Sequence, residues 1–203
     1  MRWKWFLAGL VTFPIATALA GWIFLSMHQD GFSARAQPTW VETALAKEAR
    51  KLAVPAAAIS LTNPVSDSPE VLAEARAHWA DHCATCHAND GSGQTPIGIG
   101  LYPPAPDMRG PGTQNMTDGE LFFIIENGIR MSGMPAWGAP GHDLQDSWKL
   151  VRFIRHLPGL TPEELLEMET LNPKSPDELK EEQEEKEFLN GGEPHEQAPQ
   201  HHH

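Results

Sequence analysis

The spacing of apolar and polar positions divides the chain into four parts. Residues 5–27 are apolar and carry no charge, and about 20 such residues suffice to span a membrane as a helix. Beyond Ser68, apolar residues recur at helical spacing until Pro158, and charged residues dominate after it. We therefore predict four segments: a transmembrane anchor or uncleaved signal over 1–28, a tether with a short helix over 29–68, a helical domain over 69–158, and an acidic, partly helical extension over 159–203.

The first segment is interpreted as a retained anchor. The apolar core of a cleaved signal peptide spans only about 7–15 residues, and the run here is longer. Ala18-Leu19-Ala20 and Ala34-Arg35-Ala36 both resemble cleavage sites, so the alternative of a removed signal stays open. Arg2 and Lys4 place the N-terminus on the cytoplasmic side.

Capping residues and apolar stripes predict an all-α domain with three main helices. Ser68 and Pro69 begin the first, and the Thr117–Glu120 capping box begins the second. The third runs from about Leu144 to Leu157. Between them, glycines and prolines over 94–112 predict an irregular loop. Apolar residues, helix-capping residues and prolines elsewhere in the chain predict a helix from Thr39 to about Leu52 and an extended stretch over 54–69. The same signals predict helices that start at Pro162 and Pro176.

The charge is uneven. The net charge is −12, and residues 159–203 hold thirteen acidic and three basic side chains. There is no basic cluster, so a nucleic acid partner is not expected. The acidic end of the chain is predicted to be disordered beyond Asn190, with His201–His203 as a chain-end or tag remnant.

The chemistry centres on Cys83-Ala84-Thr85-Cys86-His87, which contains both cysteines of the chain. C-x-x-C-H is the attachment signature of c-type haem: two thiols form thioethers to the haem vinyl groups and the histidine ligates iron. The alternatives are a redox dithiol, which usually occurs in a βαβ unit, or half of a zinc site, which requires a second pair of ligands. Both contexts are missing from the sequence.

A second axial ligand would decide what the haem does. Beyond the anchor, the candidates are Met108, Met116, Met131, Met134 and Met168. Met134 is the best, because Gly133 and Pro135 set its thioether in a rigid turn between two helices, and Met131 is the runner-up. A methionine ligand at this position fills the sixth coordination site of the iron and raises the reduction potential of the haem. Of the histidines His78, His82, His142 and His156, only His82 adjoins the motif.

The chain resembles the class I, monohaem c-type cytochromes over about Pro69 to Pro158. The matching positions are Cys83, Cys86, His87 and Met134, with Ala75 and Trp79 in the first helix and Trp148, Phe153 and Ile154 in the last. Pro103–Asp107 resembles the family's proline loop. The resemblance implies the class I fold, short helices and irregular loops around one covalent haem c with His87 and Met134 as iron ligands. It further implies a backbone carbonyl near the proline loop that accepts the other N–H of the imidazole.

The resulting expectation is a membrane-tethered electron carrier and not an enzyme. One electron would enter and leave a haem on the periplasmic side of the inner membrane, in exchange with redox partner proteins. The first alternative is a haem c subunit of a larger membrane complex, such as an oxidase, a dehydrogenase or a photosynthetic reaction centre. The second is a haem gas sensor or peroxidase with an open sixth position.

Overall fold

The computed structural model describes residues 2–27, 33–141 and 143–189, and these contain helices and loops but no strand. The predicted all-α fold class is confirmed. His142 and the segment from Asn190 to His203, including His201–His203, lie outside the described residues. The helices are α1 (Arg2–Met27), α2 (Trp40–Ala53), α3 (Ala56–Ile59), α4 (Pro69–His78), α5 (Ala84–His87), α6 (Pro96–Gly100), α7 (Pro111–Gln114), α8 (Asp118–Asn127), α9 (Leu144–His156), α10 (Pro162–Leu171) and α11 (Pro176–Leu189).

Helix α1 is long and apolar enough to cross a membrane. It has 26 residues and continues through Pro14 without a break. None of its window from Gly9 to Ser26 is buried against the rest of the described chain. Length and composition fit the predicted anchor, and a signal sequence would pass the same test.

The core forms where α4 and α9 cross. Trp79, Val151, Phe153 and Leu157 have at most 2% of their surface exposed. The apolar stripes of the two helices meet here as the sequence predicts, except that Leu144, the first residue of α9, is 54% exposed. Burying large aromatic and branched side chains in one cluster is the main source of stability for a domain of this size.

The stretch after α2 differs from its predicted extended conformation. Residues 56–59 form α3, and α3 packs against α8 so closely that a Cβ on Gly119 would lie 1.8 Å from the Ala58 carbonyl oxygen. Arg152 of α9 donates two hydrogen bonds to the Val65 carbonyl, at 3.0 and 2.7 Å. The segment is therefore held on the helical domain by contacts that local sequence does not reveal.

Short helices also occur inside the loop predicted to be irregular. Helix α6 begins because the Thr95 hydroxyl accepts a 2.8 Å hydrogen bond from the Gly98 N–H and Pro96 occupies the first turn. Helix α7 likewise begins with Pro111. Glycine and proline exclude long helices here, but they allow single turns with good caps.

Helix α10 belongs to the packed structure. Met168 is completely buried against the core, and Arg76 of α4 donates hydrogen bonds to Glu164 at 2.9 Å and to Glu167 at 2.6 Å. The His156 imidazole lies 3.0 Å from the same Glu164 carboxylate. By contrast, Leu179 of α11 is 53% exposed, as expected for a solvated helix.

Acid is expected to loosen α10. Burial opposes ionisation of Glu164, but hydrogen bonds from Thr161 and His156 and the charge of Arg76 outweigh it, so its pKa lies below the usual 4.5. A carboxyl whose pKa is lowered by folding stabilises the fold fully above its unfolded pKa. That stabilisation is lost as the pH falls through 4.5 towards the folded value.

Glu164→Gln tests this, because glutamine keeps the cap but removes the charge. We expect this substitution to lower the free energy of unfolding by about 1–3 kcal/mol at neutral pH. The variant should then lose less of its free energy of unfolding than the unchanged protein when the pH is lowered from neutral to acid. Denaturant titrations across this range measure both. Glu163→Gln, on the exposed side of the same turn, serves as the control. An equal pH dependence in all three proteins would contradict the assignment.

Candidate haem-binding site

The Cys-x-x-Cys-His segment sits at the end of one continuous helical stretch. Helix α4 runs into a π-helical turn, Trp79–Cys83, and then into α5. Such turns insert one extra residue into a helix and occur frequently at functional sites. The stretch ends at Ala88, which has a φ of +61°, and the Trp79 indole donates a 3.0 Å hydrogen bond to the Ala88 carbonyl. The core tryptophan thus fixes the backbone directly after His87.

The two thiols are half-buried and are not joined as a disulfide. Burial, together with the neighbouring Cys86, raises the pKa of the Cys83 thiol to about 12. Cys83 is therefore a neutral thiol at neutral pH, whereas redox dithiols depend on a lowered thiol pKa. This environment disfavours the dithiol alternative.

His87 carries the properties of a neutral nitrogen ligand. Its ring packs against Trp79 with 5.7 Å between centroids. Burial lowers the pKa of the imidazole, so the neutral, metal-binding form prevails at neutral pH. The Nδ1 atom is buried and has no hydrogen-bond partner among the described residues, so the carbonyl contact expected from the family resemblance is not formed.

The proline loop nevertheless lies beside the histidine backbone. The Gly93 N–H donates a 2.9 Å hydrogen bond to the His87 carbonyl. A Cβ on Gly93 would lie 2.4 Å from the Ala105 carbonyl oxygen, so the loop packs directly on this turn. Gly93 also has a φ of +72°, which glycine adopts without strain.

Helix α6 covers the other side of the segment. The Thr95 hydroxyl donates a 2.8 Å hydrogen bond to the Thr85 carbonyl, and a Cβ on Gly98 would lie 2.2 Å from the Cys86 carbonyl oxygen. On this closely packed helix, Ile97 and Ile99 are 50% and 54% exposed. Exposed apolar side chains on a helix that packs against Cys86 suit contact with a large apolar group.

The loop that carries Met134 folds back on the end of α8. Gly128 ends that helix with a φ of +65°, and the Ile129 N–H donates to the Met134 carbonyl at 3.1 Å. Further on, the Trp137 N–H donates to the Ile125 carbonyl at 3.0 Å. The loop has a defined shape because its backbone is bonded both to itself and to α8.

One aromatic contact joins this loop to the cysteine segment. The Trp137 ring stacks on His82 with 5.6 Å between centroids and 18° between planes. His82 directly precedes Cys83, and Trp137 lies three residues beyond Met134. The sequence singled out His82 as the histidine beside the motif, but it gave no sign that Trp137 would meet it. The fold thereby brings the loop of Met134 to the first cysteine.

The other methionines have different surroundings. Met168 is buried in the hydrophobic core, and Met108 and Met116 are partly buried against the same core. Met131 is 93% exposed with a φ of +62°. Met134 is half-buried, and Leu101 from the loop after α6 packs beside it at Gly133.

The donor set fits a haem better than a protein-bound metal ion. Within the described part of the chain, no three His, Cys, Asp or Glu side chains form a group that could hold a metal ion. The zinc alternative therefore finds no further ligands there. Two thiols without a disulfide, a neutral imidazole with a buried Nδ1, exposed isoleucines, and a half-buried methionine in the loop that meets His82 fit covalent haem instead.

Comparison with known families agrees with this chemistry. Residues 70–154 match the family described as cytochrome C oxidase, cbb3-type, subunit III. No curated protein matches the chain. The match runs from the start of α4 to near the end of α9 and includes the cysteine segment and the Met134 loop. Residues 70–154 are a c-type cytochrome domain, which binds haem covalently and acts in electron transfer.

Proposed function

We propose that the protein is a membrane-tethered electron carrier with one haem c, facing the periplasm. The observation that supports it most is the convergence of the Cys83–His87 segment and the Met134 loop through the His82–Trp137 stack. When bound, the haem would supply an iron that cycles between Fe(II) and Fe(III). The two cysteines of the chain allow one such attachment.

Each residue of the site has a separate role in this proposal. Cys83 and Cys86 would hold the haem through thioethers, each formed by addition of an S–H bond across one vinyl group, so that the sulfur bonds to one vinyl carbon and the proton goes to the other. His87 would supply an imidazole nitrogen to the iron. Met134 would supply its thioether from the loop after α8, which would close the iron to exogenous ligands and raise its reduction potential.

Helix α1 supports the tethered form. Its charged residues, Arg2 and Lys4, lie in the first turn, so as a membrane helix it would leave the cytochrome domain on the outer side of the inner membrane. The acidic segment after α10 would then face the same compartment. Domain boundaries near 28, 68 and 158 remain part of this proposal, although α10 packs on the domain before it.

Optical spectroscopy of the ferric protein, combined with a redox titration, tests the carrier proposal. We expect a low-spin spectrum with the weak sulfur-to-iron charge-transfer band and a reversible one-electron transition. A high-spin ferric spectrum with carbon monoxide binding to the reduced protein would instead support the gas sensor or peroxidase alternative.

A second candidate function is a haem subunit of a membrane oxidase, which the matching family description favours. Purification from native membranes in mild detergent separates the two. A single free species of the size of this chain supports the carrier, whereas co-purification with a larger haem assembly supports the subunit.

The Met134 loop offers a further test at Gly128. A Cβ there would lie 2.6 Å from the Pro135 carbonyl carbon and 2.8 Å from the Met134 carbonyl oxygen. We expect Gly128→Ala to displace Met134 and weaken the sulfur-to-iron band. It should also lower the free energy of unfolding by at least about 1–2 kcal/mol, the penalty of a side chain at positive φ. Gly112→Ala, whose Cβ meets nothing within 4 Å, should leave both unchanged.

A further inference from the structure

Helix α2 presents an apolar stripe that the described chain does not cover. Val41, Leu45 and Leu52 lie within about 40° of one another around the helix axis at 100° per residue. They are 42%, 67% and 87% exposed, and Trp40 at the start of the helix is 82% exposed. No residue of α2 is buried. Large apolar side chains grouped in this way indicate an interaction surface.

The opposite side of α2 faces the cytochrome domain. Thr43 and Arg50, about 160–200° from Val41 around the axis, are the half-buried residues of the helix. The Tyr102 hydroxyl donates a 3.2 Å hydrogen bond to Glu42. Because this side meets the domain, the apolar stripe points away from it.

The end of α2 is fixed to the domain. Val54, which directly follows the helix, is 6% exposed, and Ala58 in α3 is 9% exposed and packs on α8. Through Tyr102, the helix is also joined to the loop that follows α6 beside Cys86. A surface that holds α2 would therefore hold the haem-binding part of the domain as well.

The connection to α1 restricts what this stripe can meet. Twelve residues separate Met27 from Trp40, and a fully extended chain of that length spans about 40 Å. A turn in which the Ala36 N–H donates to the Ser33 carbonyl shortens this reach. With α1 in the membrane, the start of α2 therefore stays within about 40 Å of the bilayer surface.

The composition of α2 suits the interfacial region of a bilayer. Trp40 is of the residue type enriched at the level of the lipid headgroups. Lys51, about 80° from Val41 around the axis, can extend towards anionic headgroups. One acid, Glu48, lies at the edge of the stripe, about 20° from Val41, and is paired with Lys51 at 2.8 Å. The exposed residues of α2 show no comparable feature that would favour a protein partner over the lipid surface.

We propose that α2 lies at the membrane–water interface, with Val41, Leu45 and Leu52 in the lipid and Trp40 at the level of the headgroups, and so fixes the orientation of the cytochrome domain relative to the membrane. This proposal rests on the proposed function, in which α1 anchors the chain. A helix with four apolar side chains binds lipid weakly on its own. The connection to α1 makes the contact intramolecular, so weak intrinsic affinity suffices.

Orientation of the haem in aligned membranes measures this directly. The full-length holoprotein is reconstituted into bilayers of phosphatidylethanolamine and phosphatidylglycerol, which are dried as oriented multilayers. The ferric haem signal is then recorded by electron paramagnetic resonance as the sample is rotated. A fixed domain gives a signal whose amplitude depends strongly on the angle to the membrane normal.

The test variant is the double substitution Leu45→Gln and Leu52→Gln, which removes apolar area without adding charge at exposed positions. We expect it to reduce the angular contrast at least about threefold, since membrane binding of such helices scales with buried apolar area. The control is Ala46→Gln, on an exposed side of α2 away from the stripe. It should keep the contrast of the unchanged protein. Optical spectra confirm that the haem sites are equal.

The remaining outcomes overturn the proposal in distinguishable ways. Equal contrast in the double variant and the unchanged protein would show that α2 does not orient the domain. An unordered signal from unchanged protein that does sediment with vesicles would also overturn it, and order regained in native membranes would then assign the stripe to a partner protein. Failure to sediment with vesicles would overturn the anchor in the proposed function, and this inference with it.

Discussion

Replacing Met134 with alanine is expected to open one axial position of the haem iron. The sulfur-to-iron band should disappear, and the reduced protein should bind carbon monoxide. The reduction potential should fall by on the order of 0.1 V or more, a part of the ~0.8 V range that axial ligands span. The physical reason is that a thioether favours Fe(II) and water in its place does not. Optical spectra and a redox titration measure all three effects.

Met131→Leu is the matched control, because it changes a methionine three residues away in the same loop. Met131 is 93% exposed, so its removal should leave the band and the potential unchanged. A band that survives Met134→Ala and disappears on replacement of Met131 would reverse the assignment. Met168→Leu adds a control for a buried methionine, since it should affect stability and not the spectrum.

Trp79→Ala is expected to be among the most destabilising single substitutions in the domain. Trp79 is 2% exposed, and its ring centroid lies 5.4 Å from that of Phe153. Truncation of a buried tryptophan leaves a cavity and typically costs about 3–5 kcal/mol. It also removes the ring that packs on His87 and the hydrogen bond that fixes Ala88. Denaturant unfolding of the holoprotein measures the loss.

Trp79→Phe separates packing from hydrogen bonding. Phenylalanine keeps most of the ring contacts but cannot donate to the Ala88 carbonyl, so we expect a smaller loss that includes about 1 kcal/mol for the missing hydrogen bond. If both substitutions cost the same, the hydrogen bond and not the core packing would dominate at this position. A loss below about 1 kcal/mol for Trp79→Ala would contradict the central place of α4 and α9 in the core.

Features encoded within a few residues could be predicted from the sequence. The capping boxes at Thr117 and Thr161 and the cap at Ser68 all begin helices in the structure. These signals are readable because a cap joins atoms only three residues apart. The Cys83–His87 motif is readable for the same reason, since its candidate haem-binding residues lie within five consecutive positions.

Features that depend on distant partners could not be predicted. The segment around Val65 is held by Arg152, 87 residues later, and α3 fits because Gly119 lacks a side chain. The π-helical turn before Cys83 has no local signal. The stack of His82 on Trp137 exists only once the fold brings the two loops together. The flanking Gly133 and Pro135 therefore identified Met134 as a candidate ligand, but the sequence did not reveal the residues that the fold brings to its loop.

The docking of α10 has a consequence for the order in which the chain matures. The helix that leads into Cys83 is covered by residues made much later, since Arg76 pairs with Glu164 and Glu167 across 88 and 91 positions. Until α9 and α10 have emerged during synthesis, the contacts that bury Trp79 and Met168 cannot form. In the incomplete chain, the helix that leads into Cys83 therefore lacks part of its packing, and docking of α9 and α10 completes it.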